Sequence, residues 1–206
     1  MRWTTGGLAA VVLVAVAGHA VPGGGESGIN DEGFITNWLL LAPIRLEDNQ
    51  SGTDAIGKQQ LKDEAKLQPK AGETVKVDGK ALVWKAYKTK DHFFDFNDFL
   101  GAQTEDSVGY AVSYVYSPSD MKGVKLQIGS DDQAVVYLNG KEVIRNPTAR
   151  ALEKDQDSAE VTLNKGVNTL VMKVVNEKID WSGCARFTNN DNTPVKGLRA
   201  TTAPKK

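Results

Sequence analysis

Residues 130–144 read Ser-Asp-Asp-Gln-Ala-Val-Val-Tyr-Leu-Asn-Gly-Lys-Glu-Val-Ile. Asn139-Gly140 stands between two strand-like runs, Ala134 to Leu138 and Glu142 to Ile144. A type I′ turn needs positive φ at both central positions, and Asn-Gly meets that need at low steric cost. The stretch therefore predicts an acidic loop, a short strand, a two-residue turn and a second strand.

The same punctuation extends in both directions. Val108 to Tyr116 alternates strictly: Val108, Tyr110, Val112, Tyr114 and Tyr116 share one face, and Gly109, Ala111, Ser113 and Val115 the other. A sustained period of two is a strong strand signal. After a turn at Ser117-Pro118-Ser119-Asp120, Val124 to Ile128 continues it. Downstream, Ala159 to Leu163, the turn Asn164-Lys165-Gly166 and Asn168 to Val175 predict a further pair, with Cys184 to Thr188 as a last strand. Upstream, Phe34 to Ile44 is a β-like run with Pro43 near its end, where a missing N–H is tolerated. Val75 to Val77, a turn at Asp78-Gly79 and Leu82 to Tyr87 follow, and Asp91 to Leu100 is dense in Phe and Asp. One helix is expected, from Asp54 to Leu67. Ile56, Gln60, Asp63 and Leu67 lie near helical spacing, Lys58, Lys62 and Glu64 decorate the outside, and Pro69 ends it. Short strands divided by turns predict an all-β antiparallel sandwich of jelly-roll type with one short peripheral helix.

The N-terminus reads as a signal peptide. Arg2 supplies the positive region, Leu8 to Ala17 an apolar core too short for a bilayer, and Gly18-His19-Ala20 a cleavage site after Ala20. An uncleaved anchor is the lesser alternative. No Cys follows the apolar core, so no lipoprotein-type acylation is expected. Residues 21–32 read as a flexible leader, 33–195 as one sandwich domain and 196–206 as a polar tail. No second long apolar run exists, so no membrane span is expected after cleavage. The location expected is secreted or periplasmic. Among 206 residues, 25 basic and 26 acidic side chains nearly balance, which argues against nucleic acid and against electrostatic adhesion to anionic lipid. Cys184 is the only cysteine, so no internal disulfide is possible. It reads as a buried small hydrophobe in preference to a reactive thiol.

Four pieces carry a family resemblance: Gly129-Ser130-Asp131-Asp132; Val136 to Val143; Val161 to Leu170 with its Lys165-Gly166-Val167-Asn168 turn; and Lys173 to Asn176 closing on Trp181 to Phe187. Together they resemble the galactose-binding-domain-like β-sandwich, and more narrowly the sugar-binding jelly roll attached to glycoside hydrolases. The resemblance implies a scaffold with Leu170, Met172 and Val174 in the core. It implies carbohydrate as ligand, but it assigns no ligand residue, because the binding loops of such folds vary most.

The candidate chemistry is carboxylate-rich. Asp131 and Asp132 read either as a Ca²⁺ or sugar-hydroxyl site or, in the favoured reading, as loop-ordering residues bonded to backbone N–H groups. Arg150 with Asp155 and Asp157 reads equally as an Arg–Asp clamp or a ligand site, and the spacing lacks an EF-hand pattern. Sugar modules set aromatic rings against pyranose faces. Trp181, beside Asp180 in a loop-like stretch, is the aromatic nominated for that role, with packing under the loop as the alternative. Asp95 and Asp98 could be imagined as the acid and base of a small hydrolase, a poor third reading. His92 is the only histidine after the signal peptide, and no Gly-x-Ser-x-Gly elbow, Cys/His cluster or phosphate loop exists. The function expected is a non-catalytic binding module for carbohydrate, with no cofactor beyond a possible structural Ca²⁺. The alternative is a protein-interaction component of an envelope assembly.

Overall fold

The computed structural model describes residues 27–204. The expected signal peptide, 1–20, lies outside the described residues, as do 21–26 and 205–206. In chain order the elements are β1 (Asn37–Arg45), α1 (Gly52–Gly57), a 3-10 turn (Glu64–Lys66), β2 (Thr74–Val77), β3 (Lys80–Val83), β4 (Lys85–Lys88), β5 (Phe94–Asp95), α2 (Phe96–Leu100), β6 (Ser107–Ser117), β7 (Met121–Asp131), β8 (Ala134–Leu138), β9 (Lys141–Asn146), β10 (Asp157–Leu163), β11 (Gly166–Asn176), β12 (Ser182–Thr188) and β13 (Arg199–Thr201). Every pairing is antiparallel.

Two sheets face each other. A seven-stranded sheet runs β4-β1-β6-β11-β8-β9, with β13 added on β6; a four-stranded sheet runs β10-β7-β12-β5. Leu40, Ala111, Val136, Leu170, Met172 and Val174 of the first meet Leu126, Ile128, Phe187 and Trp181 of the second side in one core. The chain is all-β, a β-sandwich. The 139–140 turn is as the sequence requires, with φ of 51° at Asn139 and 82° at Gly140. Asn139 Nδ2 donates to Asn168 Oδ1 at 2.8 Å and Thr169 N–H to Asn139 Oδ1 at 2.9 Å, so this turn is tied to the 164–168 turn. Pro43 lies where the β1–β6 register slips, a position that needs no ladder N–H.

A third layer covers the seven-stranded sheet. Leu39, Leu41, Val108, Tyr110, Val112, Tyr114, Val135, Tyr137 and Val171 form a second apolar face, buried beneath Ala55, Ile56, Leu61 and Trp84 of the 46–90 segment. Both faces of the sheet's centre are thus buried, which explains why β6 and β11 are buried along nearly their whole length, whereas the edge strands β4 and β9 are partly exposed. The predicted helix over 54–67 breaks into α1 and the separate 3-10 turn. The reason is Glu64, which turns inward instead of decorating the surface. Its carboxylate accepts from Tyr110 Oη, from Tyr137 Oη at 2.8 Å and from Lys173 Nζ at 3.3 Å. Lys173 is fully buried and also donates to the Lys58 carbonyl. Burial lowers its pKa, and Glu64 works against that shift. Tyr114 Oη donates to the Pro69 carbonyl at 2.7 Å. The structure also has a second helix, α2, within 91–100, where the sequence predicts one helix in all.

The fold reaches beyond both expected boundaries. Ala200 N–H donates to Ser27 O at 2.7 Å, so part of the expected leader is anchored. β13 pairs with β6, and Leu198 and Ala200 are buried, so part of the expected tail is sheet.

Removing one member of a buried ion pair leaves an uncompensated charge, which costs about 3–5 kcal/mol. Glu64→Ala is therefore expected to lose about that much stability in urea denaturation, whereas Glu64→Gln with Lys173→Met loses less than Glu64→Ala alone. A larger loss in the double variant contradicts the assignment.

Candidate functional site: the acidic corner

Four connections cross from one sheet to the other at one end of the sandwich: 96–106 between β5 and β6, and three that meet at Asp132. The three are 132–133 between β7 and β8, 147–156 between β9 and β10, and 177–181 between β11 and β12. Asp132 stitches them together. Its Oδ1 accepts from Arg150 N at 3.1 Å and its Oδ2 from Glu177 N at 2.9 Å. Its own N–H donates to Val175 O at 2.9 Å, and Val175 N donates back to Gln133 O at 2.9 Å. The peptide bond between Asp131 and Asp132 is cis. Burial raises the Asp132 pKa, and the backbone donors of Glu177 and Arg150 oppose the rise. The favoured loop-ordering reading holds for this residue.

Arg150 is the clamp. Its guanidinium is paired with the Asp157 carboxylate and reaches Ser130 Oγ at 3.1 Å. Asp155 pairs with Arg186 instead. Both carboxylates therefore hold the 147–156 connection against the four-stranded sheet. Among the described residues no three His, Cys, Asp or Glu side chains are grouped so as to hold a metal ion.

Trp181 is not a stacking platform. It is 0% exposed, its ring lies 4.4 Å from that of Phe96, and its Nε1–H donates to Val174 O at 3.3 Å. The close approach explains Gly109, where a Cβ would stand 2.6 Å from Phe96 and 2.7 Å from Trp181. A sugar needs an open ring face, and the core takes this one. The packing alternative is what the structure contains.

Asp131 and Asp180 do come together. Asp131 pairs in register with Ser182, and Ser182 with Asp95, so the three share one face across β7, β12 and β5. Asp131 is 8% exposed. Burial pushes its pKa up to about 6, and Asp132, Asp180 and Asp95 add repulsion. Asp180 is exposed at the rim. Beside it, Ile179 is 63% exposed and sits at φ 67°, a conformation β-branched residues rarely adopt. Asn97 Nδ2 holds the Ile179 carbonyl at 2.8 Å. The sequence reading missed Ile179; an apolar residue between Lys178 and Asp180 in a loop was the available signal.

The remaining nominees have local duties. Asp95 accepts from Asp98 N at 3.0 Å as the cap of α2, and Asp98 accepts from Tyr87 Oη at 2.7 Å. His92 contacts Asp91 at 2.8 Å and packs near Phe34. Cys184 is buried, and burial pushes its thiol up to about 12. The chain matches no protein-family model and no curated relative.

Trp181→Ala empties a core site and is expected to destabilise by about 3–5 kcal/mol, read by chemical denaturation. A loss under about 1 kcal/mol contradicts the packing. Asp131 has a folded pKa above the unfolded value of about 4, so its stabilising contribution is complete below about pH 4 and is lost as pH rises through about 6. Asp131→Asn keeps the neutral form at every pH. The melting-temperature advantage of that variant should grow between pH 4 and pH 7, and parallel curves would refute the shift.

Proposed function

We propose that the chain is an exported, non-catalytic binding module of the sugar-binding jelly-roll type, engaging carbohydrate at the acidic corner. One observation carries this reading: three stitched crossings present the exposed Asp180 and Ile179 on backbone held in place by Asp132 and Asn97. A carboxylate accepts from sugar hydroxyls, and an apolar side chain covers the C–H face of a pyranose. Ordering before binding spares the entropy of fixing the loop later. Export follows from the signal-peptide reading of residues 1–20. The hydrolase reading gains nothing from Asp95 and Asp98, which cap α2 and hold Tyr87.

Affinity electrophoresis and a glycan array on the chain lacking residues 1–20 test the reading. A bound glycan should be weakened about tenfold or more by Asp180→Ala or Ile179→Ala, with unchanged melting temperature. Trp181→Ala is unsuitable for this purpose, since it removes core. No glycan binding, together with co-purifying envelope proteins, would favour the interaction component instead.

A further inference from the structure

A polar recess opens between the covering segment and the β8–β9 hairpin. Its volume is about 340 Å³, and Gln59, Asp63, Glu64, Lys66, Tyr137 and Arg145 line it. That is the lower end of the usual range for ligand pockets, enough for one sugar ring. The floor is built and rigid. Tyr137 Oη donates to Glu64, which is itself fixed by Tyr110 and Lys173. One wall is equally fixed: Arg145 donates to Glu142 through Nε at 2.8 Å and Nη2 at 2.6 Å, and its Nη1 to the Ile56 carbonyl at 3.2 Å.

The charges decide the ligand class. Arg145 is neutralised by Glu142 and Glu64 by Lys173, while Lys66 and Asp63 bring one charge of each sign to the lining. Nothing in this balance selects an ion. What remains is a mixed lining of donors (Arg145, Lys66, Gln59) and acceptors (Asp63, Gln59, Tyr137) around one small volume. A group that donates and accepts at once satisfies such a set best, and sugar hydroxyls do both.

We propose that this recess is a second carbohydrate subsite, taking one neutral sugar ring through its hydroxyls. The proposal rests on the carbohydrate reading above, but uses none of the corner residues. Tyr137 lies four residues from Gln133 of the β7–β8 crossing, about 13 Å of extended chain, so the two sites report separately.

Amide chemical-shift titration with the methyl glycosides of galactose, glucose and mannose, and with methyl glucuronide, tests it. At least one neutral glycoside should shift the amides of 57–66, Tyr137 and Arg145. Lys66→Ala and Gln59→Ala, both at exposed positions, should each weaken that response about tenfold and leave any response at 177–181 intact. Shifts confined to 177–181 overturn the subsite and spare the corner. Shifts at the recess from the glucuronide alone overturn the neutral class. Silence toward every glycoside overturns both readings.

Discussion

The carboxylate of Glu64 is the constraint on which the layered arrangement depends. It lies between the covering segment and the sheet face that this segment buries. Burying Ile56, Leu61 and Trp84 against that face contributes about 1.5–3 kcal/mol each as an upper estimate. Apolar contact alone is non-directional and would allow the cover to slide. Two tyrosine hydroxyls and a buried ammonium converging on one carboxylate fix its position and register. The same carboxylate closes the floor of the polar recess, so one interaction sets both the third layer and the shape of that recess.

The acidic corner follows a similar rule with backbone partners. Each crossing between sheets leaves peptide groups outside any ladder, and such groups need partners when buried. Asp132 supplies two of them from a single side chain. Arg150 and Arg186 bind the long β9–β10 connection through Asp157 and Asp155. With these acids committed, and the buried Asp131 itself bonded to the Leu152 backbone, Asp180 remains exposed beside an outward-facing isoleucine. The corner is therefore a hydrogen-bonded frame with a small, chemically distinct exposed rim.

What could be read from the sequence was local. The Asn139-Gly140 turn, the period-two strand at 108–116 and the strands at 134–138 and 159–163 all depend on neighbours within a few residues, and each is present. The loop-ordering reading of Asp132 succeeded for the same reason: short acids near turns commonly bond backbone. The failures are long-range. Helical spacing over 54–67 looked continuous, but Glu64 is claimed by Tyr110, Tyr137 and Lys173 from three distant strands. Trp181 looked loop-borne, yet its place is decided by Phe96 and by the gap at Gly109. The alternation over 108–116 sets Tyr110 and Tyr114 on one face, and that face is buried. That their hydroxyls would fasten a third layer had no signature in the alternation. The recess was invisible for the same reason, being drawn from the cover, β8 and β9.

Native-state hydrogen exchange tests most directly whether the cover belongs to the cooperative fold. The amides to compare are Gln60, which donates to Glu64, and Trp84, which donates to Glu73, against those of β6 and β11. If Glu64 fastens the layer as described, Gln60 and Trp84 exchange with the same opening free energy as the central strands and show the same denaturant dependence. Exchange of those two amides through a low-energy local opening, while β6 and β11 stay protected, would contradict the account.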